Sequence, residues 1–124
     1  MIGEWKFIID RDPPSLNERL HNAGPTRWKY ARLRDEWALL FTVERLRLAI
    51  PKATGKRVVT LQRLYNGRQQ ERDYGNLVGG CKLVIDAMVK CHLLQDDAPS
   101  MLDDTYLQQK SGRKGLLVTI REAP

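Results

Sequence analysis

A chain of 124 residues, 42% hydrophobic and 29% charged, is the size of one domain, residues 1–124, and can bury a core without disulfide or metal staples. No apolar run approaches the ~20 residues that span a bilayer, and Met1 leads into a mixed segment rather than a signal peptide, so a soluble, cytoplasmic protein is expected. The net charge of +6 is uneven: residues 1–72 hold 15 Lys and Arg against 8 Asp and Glu, and residues 73–124 hold 6 against 7.

Trp5-Lys6-Phe7-Ile8-Ile9 alternates as a strand does, and Pro13-Pro14 forbids its continuation. Residues 13–25 read as a loop, with Ser15, Asn17, Asn22 and Gly24 as turn formers. From about Arg27 the period becomes helical. Leu33, Trp37, Leu40, Phe41 and Leu48 make one stripe, Leu39, Val43, Leu46 and Ile50 widen it, and Pro51 ends it. So broad an apolar face predicts burial on more than one side, against a sheet. Residues 56–65 predict a strand that closes at the turn dipeptide Asn66-Gly67. Residues 76–92 predict a second helix burying Leu77, Cys81, Val84, Ile85 and Met88. Cys81 and Cys91, ten residues apart on that helix at ~1.5 Å rise, are too distant to pair and are expected as reduced thiols. Residues 102–109 and 115–121 predict two strands joined in a hairpin around Ser111-Gly112. The whole is an α/β (α+β) domain, a small mixed sheet with two main helices packed against it in the order β-α-β-α-β-β.

An acidic cluster stands out against the basic balance: Asp73, then Asp86, then Asp96-Asp97, with Lys82 among them. Carboxylates gathered this way repel one another unless a cation lies between them. Glu71, Asp73 and position 75 fall on one side of an extended segment, and positions 75, 79, 82 and 86 on one face of the following helix. Hard oxygen donors suit Mg²⁺ or Mn²⁺, and a nearby lysine suits the charge that develops on a phosphate. A bland reading fits the same residues: loop aspartates, and a Lys82–Asp86 surface pair worth only ~0.3–0.5 kcal/mol. The basic excess points to nucleic acid as the partner, and an ordinary solvated surface fits the charge equally well.

Pro13-Pro14-Ser15-Leu16-Asn17, Arg72-Asp73-x-x-Asn76-Leu77, Gly79-Gly80-x-Lys82-x3-Asp86-Ala87 and Leu93-Leu94-x-Asp96-Asp97 together resemble, in order and over nearly the whole chain, the RusA family of Holliday-junction resolvases of phages and prophages. The resemblance implies a Mg²⁺-dependent crossover junction endodeoxyribonuclease, with Mn²⁺ as a substitute. It would act in DNA recombination and repair as a homodimer that nicks paired strands of a four-way junction. It implies Asp73 and Asp97 as metal ligands and Lys82 as the catalytic lysine, with Asp96 in a family-like acidic position as support or a further candidate ligand. It further implies Asp86 as support, and Arg72, Asn76 and Arg19 as DNA contacts, in the cytoplasm of a bacterial or phage-infected cell.

The departure from the family pattern Asp-x-Asp-Asn is Gly75, which removes one expected metal ligand. Either Glu71 compensates or the site is weakened, and the alternative function is a catalytically weak or inactive branched-DNA-binding protein. A plain protein-interaction module is the third reading. Arg27, Lys29, Arg32 and Arg34, interleaved with Trp28 and Tyr30, suit a phosphate-contacting patch with aromatic stacking, of which Arg27 and Lys29 are taken as DNA contacts. Trp28 suits a core-facing position equally well. Gly79-Gly80 predicts close backbone approach or a delayed helix start. His21 and His92 lack partners at metal-ligand spacing. Asp103-Asp104 is expected to sit in water.

Overall fold

The structure is a computed structural model that describes residues 3–16 and 27–124, the side chain of Arg27 excepted. Among these, four strands and two helices follow the predicted order: β1 (Glu4–Ile9), α1 (Arg27–Arg47), β2 (Arg57–Tyr65), α2 (Tyr74–Lys90), β3 (Leu102–Lys110) and β4 (Gly115–Glu122). The strands form one mixed sheet in the order β1-β4-β2-β3. No helix among the described residues is long and apolar enough to cross a membrane.

Alternation decides the buried face of the sheet. Phe7 and Ile9 of β1, Val59 and Leu61 of β2, and Leu116, Val118 and Ile120 of β4 all enter one core with the helices. Residues at the opposite parity, such as Lys6 and Ile8, are exposed. β4 runs antiparallel to both β1 and β2, whereas β3 runs parallel to β2, which α2 makes possible by carrying the chain back.

The predicted hairpin between residues 102–109 and 115–121 is not formed. β2 lies between β3 and β4. The chain around Ser111-Gly112 crosses the end of β2, and the Ser111 amide donates to the Tyr65 carbonyl at 2.7 Å there. A turn signal predicts reversal of direction but not the neighbouring strand, and here the reversal skips one strand.

The broad apolar face of α1 is buried on one side only. Trp37, Ala38 and Phe41 pack into the core, with Phe41 edge-on to Phe7. Leu39, Val43 and Leu46 instead face solvent, each more than half exposed. The second helix, with β1, covers one stripe of α1, and no described residue covers the other. The helix ends as Pro51 foretells: the Ile50 amide donates to the Arg45 carbonyl at 2.8 Å, and Ala49 turns to φ 55°.

α2 begins at Tyr74, two residues before the predicted start, because Asp73 caps it: its carboxylate accepts the Asn76 amide at 2.8 Å. Gly79 and Gly80 permit the predicted close approach. A Cβ on Gly80 would lie 2.0 Å from the Pro14 carbonyl oxygen, and one on Gly79 would lie 2.6 Å from Leu16 Cδ1. Residues 14–16 therefore lie directly across the helix. Cys81 and Cys91 are free and buried, and burial pushes the Cys81 thiol up to about 12.

Candidate functional site

Lys82, on the third turn of α2, is exposed and holds two carboxylates at once. Its Nζ contacts Asp86 Oδ1 at 3.2 Å, one turn along the helix, and Asp97 Oδ2 from the turn that follows α2. The other oxygen of Asp86 accepts from the Tyr30 hydroxyl of α1 at 2.5 Å. Asp96 accepts the Asp97 amide at 2.8 Å, which fixes the carboxylate pair relative to its own backbone. The hydrogen bond from Lys82 holds the Asp97 carboxyl below the usual carboxylate range. The same bond, with the one to Asp86, raises the Lys82 ammonium above the usual lysine range against partial burial. Lys82 is thus a protonated donor near neutrality. Asp86, Asp96 and Asp97 line an open cavity of about 410 Å³ with Arg34, Val89 and Lys90.

Asp73 and Glu71 are elsewhere. They line a second cavity of about 570 Å³, against Tyr74, Leu77 and the β3 residues Tyr106, Leu107 and Gln108. Nine residues of helical rise at ~1.5 Å place Lys82 roughly 13 Å beyond the Asp73 cap. Asp73 and Asp97 line different cavities, and the capping bond engages one oxygen of the Asp73 carboxylate. Gly75 opens outward, where an added Cβ would meet only Asp73 Oδ1, at 3.6 Å.

Among the described residues, no group of three or more His, Cys, Asp or Glu side chains is gathered to hold a metal ion. Mg²⁺ does not require such a cage, since it binds through one or two carboxylates and keeps waters and substrate phosphate as its other ligands. The hard oxygens of Asp96 and Asp97, beside an open cavity, fit that chemistry. Glu71 and Asp73 do not belong to the same donor set.

Two expected DNA contacts are structural braces. The Arg72 guanidinium donates to the Pro13 and Pro14 carbonyls at 2.8 and 3.2 Å and to Asp12 at 3.1 Å, leaving its side chain 10% exposed. It ties the segment before residue 17 to the entry of α2 rather than reaching outward. Asn76 accepts the Leu16 amide at 2.7 Å and does the same. Behind them lies an arginine that the sequence reading passed over: Arg63, 3% exposed, donates to Asp12, Gln108 and the Gln70 carbonyl. Its signal was legible, because Val59, Leu61 and Arg63 share the inward parity of β2, and a buried guanidinium there requires a carboxylate partner.

Lys29 is exposed as predicted, and with Arg32 it lies over the ring of Trp28, at 5.5 and 5.4 Å. Trp28 faces solvent rather than the core, at 55% exposure. Tyr30, one of the predicted stacking aromatics, turns to Asp86 instead. Arg19, with Asn17 and His21, lies outside the described residues, and of Arg27 only the backbone is described. Asp103 and Asp104 are exposed, with Asp104 accepting from the Tyr106 hydroxyl at 2.5 Å.

No protein-family model matches the chain, and no curated protein matches it in sequence.

Proposed function

We propose that this chain is a Mg²⁺-dependent, structure-selective endodeoxyribonuclease that resolves four-way DNA junctions by paired nicks as a homodimer, in the manner of the RusA family. The observation that carries the reading is the Lys82 ammonium held between Asp86 and Asp97, two of the residues that line an open cavity. On this reading the protein works on DNA in the cytoplasm of a bacterial or phage-infected cell.

The roles follow from the chemistry. Asp97 and Asp96 would hold Mg²⁺, or Mn²⁺ in its place. When bound, the ion neutralises the non-bridging phosphate oxygens and lowers the pKa of a coordinated water. Lys82 donates toward a phosphate oxygen, where negative charge develops as the phosphodiester is attacked. Asp86, itself fixed by the Tyr30 hydroxyl, holds the ammonium beside the cavity it lines. The acids would repel DNA without a cation, which makes binding at this point depend on the metal, while basic residues elsewhere supply the salt-dependent attraction.

The test compares binding and cleavage of a synthetic four-way junction and a linear duplex of the same length, with and without Mg²⁺, in the wild type and in Lys82→Met. Junction preference with Mg²⁺-dependent nicking, lost in Lys82→Met, supports the reading. A second reading, binding without cutting, is favoured by Gly75 and by the separation of Asp73 from Asp97. Junction preference without nicking in either Mg²⁺ or Mn²⁺ would select it. Equal affinity for junction and duplex would remove both.

A further inference from the structure

We infer that the first turn of α1 is a stacking platform for an unstacked nucleobase of DNA, with Trp28 as the platform and Lys29 and Arg32 as the contacts to its flanking phosphates. The inference rests on the branched-DNA reading and deepens it by naming where an opened base is received.

Of the three tryptophans, Trp37 is buried in the core, and Trp5 lies partly covered beneath the Arg57 guanidinium at 5.2 Å. Trp28 alone is more than half exposed. Leaving so large an aromatic surface in water is unfavourable unless something covers it. What surrounds the ring defines the chemistry of the cover. Lys29 and Arg32 both place their cations over it, and among the described residues neither is paired with a carboxylate. An aromatic face flanked by two such cations matches a base and its phosphates: the base takes the π-face and the cations pass to the phosphate oxygens.

A protein partner would ask for something different, and α1 carries that too. The outward positions change character along the helix, from Trp28 and Arg32 through Asp35 and Glu36 to the aliphatic Leu39, Val43 and Leu46. The charged residues separate a cationic aromatic patch from an aliphatic one. Trp28 and Tyr30, two residues apart, project about 200° from each other around the helix. A base on Trp28 therefore lies across α1 from the Tyr30–Asp86–Lys82 chain, at a helix diameter of ~10 Å.

The experiment follows intrinsic tryptophan emission and binding together, using a single-stranded thymidine oligonucleotide, a four-way junction and a linear duplex as probes. The proteins are the wild type, Trp28→Phe and Trp28→Ala, each checked for fold by circular dichroism. We expect the single strand and the junction to quench wild-type emission, with the quenched component absent from both variants. Trp28→Phe should keep affinity within about twofold, and Trp28→Ala should lose about tenfold, ~1.4 kcal/mol, the scale of one stacked base. Lys29→Ala and Arg32→Ala should each lower the slope of log K against log salt by about one. Wild-type affinity in Trp28→Ala, or a change in its oligomeric state with unaltered DNA binding, would overturn the inference. In both cases a retained junction preference leaves the functional reading standing. Loss of junction preference in the wild type itself would sink both.

Discussion

Gly75→Asp is the most informative single substitution in this chain, because the structure leaves room for the carboxylate that the RusA pattern would have there. Gly75 is the second residue of α2, with no left-handed φ, and an added Cβ would meet only Asp73 Oδ1 at the ordinary contact distance of 3.6 Å. Replacing glycine within a helix gains roughly 0.3 kcal/mol in propensity for aspartate. A negative charge in the first turn gains about 0.3–1 kcal/mol against the helix dipole. Against these stands repulsion from Asp73, about 0.8 kcal/mol for two charges ~5 Å apart in water. Without metal the stability should therefore change by less than ~0.5 kcal/mol. With Mg²⁺ the repulsion becomes attraction for the ion, and ligand at a hundredfold excess over its dissociation constant adds ~2.7 kcal/mol. Thermal unfolding of wild type and variant, with and without Mg²⁺, measures both terms. The expected result is near-identical melting without metal and a selective Mg²⁺-dependent rise in the variant. A loss of more than ~2 kcal/mol without metal would refute the steric reasoning. Equal response of both proteins to Mg²⁺ would refute the idea that Gly75 stands in a ligand position.

Four further outcomes are expected. Asp97, held below the carboxylate range, contributes stability above its unfolded pKa that is lost as pH falls through the folded value. Lys82, held above the lysine range, contributes stability below its unfolded pKa that is lost as pH rises through its folded value. Melting temperature should thus lose a small contribution at the acid and alkaline extremes in the wild type, and Asp97→Asn should abolish the acid-side loss and diminish the alkaline-side one. An unchanged acid profile in that variant would contradict the pairing. Arg63→Met should cost about 1–3 kcal/mol by removing the buried donor of Asp12, Gln108 and the Gln70 carbonyl, while Arg72 still pairs with Asp12, measured by denaturant titration. Arg72→Met should destabilise the fold yet leave DNA affinity of the folded protein intact, and a selective loss of affinity would return Arg72 to the DNA surface. Gly80→Ala should cost about 1–3 kcal/mol because its methyl group meets the Pro14 carbonyl, and a neutral effect would show that residues 14–16 do not lie across α2.

Much of this architecture was legible because local rules act alone at particular places. Pro13-Pro14 and Pro51 end their elements, alternation sets the inner face of β1 and β2, and the double glycine at 79–80 announces a close crossing. What was not legible depended on partners distant in the chain. The reversal at Ser111-Gly112 is local, but its passage over Tyr65 at the end of β2 is a property of the whole sheet. The periodicity of α1 marks Leu39, Val43 and Leu46 as apolar without saying which stripe the sheet covers. The site divides in the same way. Lys82 and Asp86, one turn apart, were legible from spacing, and Asp97 joined them through the turn after α2. Asp73 caps the start of α2 and lines a different cavity. Arg72 shows the same limit, because a guanidinium beside an acid looks the same in sequence whether it reaches for DNA or for Asp12.

The central claim is that the Lys82–Asp97 cluster cuts branched DNA. Its most direct test is nicking of a labelled four-way junction in Mg²⁺ by the wild type and by Asp97→Asn at equal junction occupancy. The account predicts paired, symmetric nicks by the wild type, and their loss in Asp97→Asn. Junction binding with no nicks by the wild type in either Mg²⁺ or Mn²⁺, or nicking unchanged in Asp97→Asn, would contradict it.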